Sequence, residues 1–305
     1  MVGGSDDNNG RHHATRIYAW ACLLLALLCR QPLTMAADQQ AKKEPAPAEV
    51  TAEGPWTLRY QFEDGQTLRM EVRHRAVSDT TIAGTKQSVE TATDSTKVWK
   101  VTTDAEGGVV LEHSVDDVRM HSRTSDRGSV SWDSRDTQPP PPGYEHIPGS
   151  LGVPISRITI DAAGHVLGRR NLRPVPESNS GDLVVVPLPT EPVSIGDEWE
   201  VPDEIVVEVQ GGPRKLVRTR LRYRLESVDD GIASIRVDTT VLTPVDDPQL
   251  EARLLERIWD GKIQFDIEEG HVLSRVTEMD RKVIGFSGPQ SSLRYRAEME
   301  ERLLR

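Results

Sequence analysis

The sequence predicts a mainly β protein, built as two related curved antiparallel sheet units of half-barrel type with one short helix near residues 248–260. Three observations carry this prediction. Apolar and polar residues alternate along most of the chain beyond residue 55, which is the period of a half-buried strand. Asp and Gly recur between those stretches, the chemistry of tight turns. One hairpin is also written twice. Ile160-Asp161-Ala162-Ala163-Gly164-His165-Val166-Leu167 and Phe265-Asp266-Ile267-Glu268-Glu269-Gly270-His271-Val272-Leu273 share an Asp and Gly-His-Val-Leu, and differ by one residue in the turn. Self-similarity of this kind points to a chain of two related halves.

The first 37 residues read as a secretory signal. Arg11 and Arg16 precede an apolar run at 17–28, and small residues follow at Ala36 and Ala37. That run is shorter than the roughly 20 residues a membrane span needs. Cleavage would leave a secreted or periplasmic protein with no stable transmembrane span; the alternative is an uncleaved N-terminal anchor. Both cysteines, Cys22 and Cys29, lie inside this leader. The mature chain would be cysteine-free, which excludes disulfides and thiolate chemistry. Residues 38–54, rich in Gln, Lys, Glu, Ala and Pro, have the composition of a disordered tether.

The first unit covers 55–172. Trp56, Leu58, Tyr60 and Phe62 alternate with polar residues and predict a strand. A turn at 63–66 leads to a second strand carrying Leu68, Met70 and Val72. Residues 80–103, rich in Thr, Val and Ser, predict one or two long half-exposed strands. A turn at 104–108 precedes Val109, Leu111, His113 and Val115. Val130 and Trp132 mark a short strand, and the prolines at 139–142 a stiff connector.

The second unit covers 183–305. Residues 183–186 predict a short buried strand, and 195–199 an opening turn resembling 64–66. Ile205, Val207 and Val209 face one way, and Glu204, Val206 and Glu208 the other. After a turn at 211–213, Val217, Thr219, Leu221, Tyr223 and Leu225 share the core face. A three-residue loop, Asp229-Asp230-Gly231, would set Leu225 opposite Ile235, Tyr223 opposite Val237 and Arg222 opposite Asp238. Asp247-Pro248 is a helix start, with Asp as cap and Pro at the first helical position. Leu250, Leu254, Leu255 and Ile258 form its apolar stripe and Gly261 its end; the competing reading is a long strand running into Phe265. From Val272 strands resume, and Leu293, Tyr295, Ala297 and Met299 alternate near the end.

Charge and composition exclude some functions. The net charge is −11, and because Arg11, Arg16 and Arg30 outnumber Asp6 and Asp7, the chain beyond the leader is more acidic still. A nucleic-acid binder would show the opposite balance. With three Phe and five Tyr, stacking platforms are scarce. Arg218, Arg220, Arg222 and Arg224 share one strand face and form a candidate surface for an anionic partner. The alternative is a solvated outer face paired with Glu204, Glu208 and Asp238. His113, Asp116, Asp117 and His121 are weak metal candidates, because the two histidines would share a face if one strand ran through both; Asp116-Asp117 reads more simply as a turn or strand end, and no calcium-loop or His-Glu-x-x-His pattern accompanies them. His165 and His271 occupy equivalent turns and read as copied turn residues. Residues 285–288, Gly-Phe-Ser-Gly, lack the spacing of a Gly-x-Ser-x-Gly nucleophile turn, and no Gly-rich phosphate loop is present. The expectation is therefore no enzyme and no cofactor.

The duplicated units resemble uncharacterised secreted bacterial β-rich proteins and, more distantly, the half barrels of the lipoprotein-carrier family, on the strength of 265–274 and its partner 160–168. That resemblance implies a non-enzymatic binding or carrier module of the cell envelope, whose curved sheet shelters an apolar small molecule or lipid. It places no functional residue of that family on this chain. The alternative function is an envelope scaffold that meets another protein through its charged outer strands.

Overall fold

The computed structural model describes residues 54–103, 108–173, 185–208 and 214–305. The expected leader with both cysteines, most of the expected tether, all but Gly108 of the turn expected at 104–108 and the turn expected at 211–213 lie outside the described residues, as do residues 183 and 184 of the short strand expected at 183–186. No helix among the described residues is long and apolar enough to cross a membrane.

The strands are β1 (Thr67–Ile82), β2 (Thr85–Thr103), β3 (Val109–Thr124), β4 (Gly128–Asp133), β5 (Ser156–Ile160), β6 (Val166–Asn171), β7 (Glu198–Glu208), β8 (Arg214–Asp229), β9 (Ile232–Val241), β10 (Asp260–Asp266), β11 (His271–Ile284) and β12 (Ser291–Leu304). All join one open antiparallel sheet in the order β6-β5-β3-β2-β1-β12-β11-β10-β9-β8-β7, with β4 added beside β3. The mainly β, curved antiparallel prediction holds. Residues of 55–172 and of 183–305 share this sheet, joined where β1 pairs with β12. The series β1-β2-β3-β5-β6 and β7-β8-β9-β10-β11 follow the same neighbour order on either side of β12.

The two copied hairpins are the turns β5–β6 and β10–β11. In each, the Asp side chain caps the turn: Asp161 Oδ1 accepts from the amides of Ala163 and His165, both at 2.9 Å, and Asp266 Oδ1 from those of Glu268 and Glu269 at 3.1 and 2.9 Å. In each, a bulge follows, so that Leu167 and Leu273, the Leu of Gly-His-Val-Leu, are the unpaired extra residues. The shared sequence thus encodes a capped turn plus a bulge, and the added residue in the second copy is absorbed within the turn.

Residues 56–62 depart from expectation. They are not a sheet strand but a strap across the concave face. The Tyr60 amide donates to Ala162 O (3.1 Å) and the Gln61 amide to Gly270 O (3.0 Å), so the strap ties the two copied turns together. Its alternation is real, since Leu58 and Tyr60 are buried and Phe62 half-buried, but alternation reports a buried face and not a ladder partner. A second strap, 185–193, lies beside it. Tyr60 Oη donates to Val186 O (2.9 Å) and accepts from Val186 N (2.6 Å), and Trp56 bridges to Val193. Gly164, at φ +80°, sits where the straps meet its turn; a Cβ there would come within 2.4 Å of the Tyr60 ring and 2.7 Å of Val186 O. Leu58 of the first strap packs onto Trp99, Leu111, Ile158, Ile160, Leu225, Ile235, Ile263 and Phe265 of the sheet in a core with almost no solvent contact.

The helix α1 (Pro248–Leu254) is shorter than predicted. Asp247 caps it, accepting from Gln249 N at 2.9 Å, and Leu250 and Leu254 pack on Ile205, Val207 and Val217. A 3-10 turn at Leu255–Arg257 follows, and β10 has begun at Asp260. Gly261 is therefore not a helix stop. It lies inside β10, where a Cβ would meet Val276 O at 2.4 Å, so close backbone approach accounts for it.

The registers Leu225–Ile235, Tyr223–Val237 and Arg222–Asp238 are those predicted. The turn between them is not. Asp229 pairs with Ile232, leaving a two-residue turn of Asp230 and Gly231, both with positive φ (48° and 77°), and a bulge between Leu225 and Ser227 restores the register. Pro202, which cannot donate to a ladder, falls on β7, an edge strand.

Candidate functional site

The strands β1, β2, β11 and β12 run on well past the straps, and their inner residues form rows across the sheet. One row is Ser95, Val72, Glu301 and Arg275; the next is Thr93, His74, Met299 and Thr277; then Thr91, Ala76, Ala297 and Met279. Over these rows the sheet curls so that β7, β8, β9 and the segment following α1 face them. Between the two lies a cavity of about 390 Å³. Val72, Ile205, Leu221, Trp259, Met279 and Met299 give it apolar walls; Lys97 and Arg275 also line it. Its size is in the range of small-molecule sites, roughly 300–1,000 Å³.

Three charged side chains are buried together at its floor. Lys97 Nζ stands 2.9 Å from Glu301 Oε1, and Arg275 holds Glu301 Oε2 through Nε at 2.7 Å and through a terminal nitrogen. The side chains of Lys97, Arg275 and Glu301 are 10%, 6% and 6% exposed. Burial by itself would raise the Glu301 carboxyl; the charges of Arg275 and Lys97 outweigh it and hold the group below its ordinary value. At the mouth, Glu256 reaches solvent, yet enough protein surrounds its carboxyl that desolvation raises its pKa. Tyr295 beside it is pushed up by burial and by Glu256.

A wider hollow of about 690 Å³ lies at the strand tips, among Asp79, Lys86, Asp280, Lys282 and Arg294. It is open to solvent, and its charges include close pairs such as Arg294–Asp280 at 2.7 Å. The curled face, with buried charge under apolar walls, has the more ligand-like chemistry.

The residues singled out from the sequence lie elsewhere. Arg218, Arg220, Arg222 and Arg224 occupy the outer face of β8. Arg220 pairs with Glu200 at 3.1 Å and Arg222 with Asp238 at 3.1 Å, while Arg218 and Arg224 stand opposite Glu204 and Glu198. Of the metal candidates, His113 is buried on the inner face, stacked on Trp99 with ring centroids 4.5 Å apart. His121 is exposed and meets Ser131 Oγ at 2.7 Å. One strand does run through both, but a bulge at Asp116 reverses the phase of β3, so the histidines point to opposite faces. Asp116 pairs with Arg69 at 2.8 Å. Among the described residues no group of three or more His, Cys, Asp or Glu is placed to hold a metal ion. His165 contacts Asp161 Oδ2 at 3.0 Å, and the buried His271 contacts Glu269 O at 3.1 Å.

Sequence reasoning missed Lys97, Arg275 and Glu301. They lie on three strands, and nothing in their local spacing links them. The signal available was phase: Lys97 follows the core-facing period set by Trp99, and Glu301 the period set by Met299, so each is a charged residue at a core position.

Comparison with known proteins adds little. No family model matches the chain, and no curated protein matches it. A solved lipovitellin structure, described by its lipid–protein interactions, aligns with a TM-score of 0.42 and 11% identity over 80% of this chain. The chain spans about a quarter of that protein, 26% of its length. DynF of the dynemicin biosynthesis pathway of Micromonospora chersina aligns with a TM-score of 0.21 at 7% identity, covering 87% of this chain and 92% of that one. A DUF1329 family protein from Desulfovibrio piger gives 0.15 at 10% identity, covering 77% and 83%. At such similarity the functional argument rests on this chain's own geometry.

Proposed function

We propose that the protein is a non-catalytic binding or carrier module that holds an apolar or amphipathic small molecule in the cavity on its curved face. The observation that supports this is the 390 Å³ space itself, walled by Val72, Ile205, Leu221, Trp259, Met279 and Met299 where a sheet of this size would otherwise be packed solid. Two methionines in the wall suit a site that adapts to flexible ligands. The charged groups at the floor are locked to one another, an arrangement for fixing orientation more than for moving protons. The same proposal locates this activity outside the cytoplasm, in a cell envelope or beyond it, a reading supported by the leader-like composition of the first 37 residues.

Native mass spectrometry of the protein taken from the cells that make it, before and after solvent extraction, tests the reading. Extra mass in the range of a lipid that extraction removes is the expected result. A bare chain mass in both samples, together with no uptake of added amphiphile by the extracted protein, overturns it.

A further inference from the structure

We infer that the ligand is an uncharged amphiphile, a long apolar chain carrying an alcohol or ester oxygen, and that the hydroxyl of Thr277 bonds that oxygen. This rests on the reading of the cavity as a ligand site. Thr277 lies on the inner face of β11, is 7% exposed and lines the cavity. Its methyl is turned toward β10, since a Cβ on Gly261 would come within 3.1 Å of Thr277 Cγ2. Among the described residues its hydroxyl has no hydrogen-bond partner, and neither have those of Thr93 and Ser95 on the β2 wall. Thr239, by contrast, donates to Trp259 O at 2.8 Å. A buried hydroxyl left unbonded is costly, and a ligand oxygen supplies what Thr277 lacks. A hydroxyl both donates and accepts, so it suits an alcohol or an ester alike.

The ionisable groups around the space argue against a charged ligand. Lys97, Arg257 and Arg275 are matched by Asp203, Glu256 and Glu301, so these six side chains carry no net formal charge. Glu301 is bonded to both Lys97 and Arg275, and each of those two has further interactions besides. Asp203 and Arg275 act on the Tyr223 hydroxyl in opposite senses, so the field of Asp203 reaches the floor as well. His74 also faces the space and has a partner of its own. An ion entering here would give up its hydration with no surplus of opposite charge to replace it. The tail has a path that meets no charge. Thr277 stands opposite Met299, and four residues along β12, roughly 13 Å, lead from there to Tyr295 at the mouth, past Ala297 and Met279.

The test compares three probes with one tail: octanol, octanoate and octylammonium, titrated into the solvent-extracted full-length chain by calorimetry at neutral pH. Octanol should bind more than about tenfold tighter than either ion. Thr277→Val, which exchanges the hydroxyl for a methyl of similar size, should weaken octanol roughly two- to tenfold, the scale of one neutral hydrogen bond. Thr277→Ser, which keeps the hydroxyl, should not. An ion that binds within about tenfold of octanol, or more tightly, overturns the uncharged-ligand inference and leaves the binding function intact. A Thr277→Val chain that keeps the full octanol affinity overturns the role of Thr277, as does a Thr277→Ser chain that loses as much as the valine variant. Failure of all three probes to bind overturns both the inference and the binding function. The comparison of probes needs no variant, so it stands even if Thr277→Val does not fold.

Discussion

Lys97 on β2 and Glu301 on β12 are 204 residues apart in sequence and 2.9 Å apart in space, with β1 running between their strands. They are not register partners, since Glu301 stands opposite Val72 and Lys97 opposite Met70. The contact is made diagonally, by a long cationic side chain reaching over the middle strand.

That contact sets a pH dependence. Arg275 and Lys97 hold the Glu301 carboxyl below its ordinary 4.5. A carboxyl depressed on folding contributes stability that is complete above its unfolded pKa and is lost as pH falls through its folded pKa. E301Q should therefore lower stability at neutral pH by about 3–5 kcal/mol, because a buried carboxylate bonded to two buried cations is removed. It should also flatten the acid limb below roughly pH 4.5. Urea titrations from pH 7 down to pH 3 check this; an unchanged acid limb would show that the cluster contributes nothing there.

Tyr60 holds the two straps together through both the carbonyl and the amide of Val186. Tyr60→Phe keeps the ring against Phe265 but strands these two buried groups. A loss of about 1–3 kcal/mol is expected. Amide exchange should quicken at Val186 and Leu188 and stay unchanged in β8 and β9.

Gly164→Ala and Gly231→Ala separate two costs. Both positions have positive φ, 80° and 77°, so each substitution carries strain of roughly 1–2 kcal/mol. At Gly231 nothing lies within 4 Å of the new methyl, whereas at Gly164 it meets Tyr60 and Val186. Gly164→Ala should cost at least about 1 kcal/mol more, measured by denaturant midpoints. Equal costs would mean the straps yield freely.

Ala297→Trp should fill the cavity from its β12 wall. Uptake of an added amphiphile by the solvent-extracted protein, read by calorimetry, should fall by more than about tenfold, with the far-UV spectrum unchanged. Retained affinity would place the ligand elsewhere.

What could be read from the sequence followed from local chemistry. Alternation placed the inner face of β8, and Asp-Gly located the turn that sets its register against β9. Asp247-Pro248 located the start of α1. Its end was lost because the stripe Leu254, Leu255 and Ile258 continues in phase into residues that turn and enter β10. The strap at 56–62 was read as a strand because its burial alternates, and its true partners are turns more than 100 and 200 residues away. The bulge at Asp116 carries no composition signal, yet it alone sends His113 and His121 to opposite faces. The cavity cluster was the least accessible, since its geometry exists only after β2, β1, β12 and β11, from distant parts of the chain, have come side by side.

The pairing of β1 with β12 puts the first and last strands of the described sheet at its centre. A meander could zip as it emerges from the ribosome; this sheet cannot. Until β12 is synthesised, β1 presents a bare edge roughly 50 Å long. Closing the sheet joins segments more than 200 residues apart, which makes for slow folding and a long-lived, sticky intermediate. A chain so arranged gains from being kept unfolded until β12 is made, and loss of β12 would split the described sheet down the middle instead of trimming its edge.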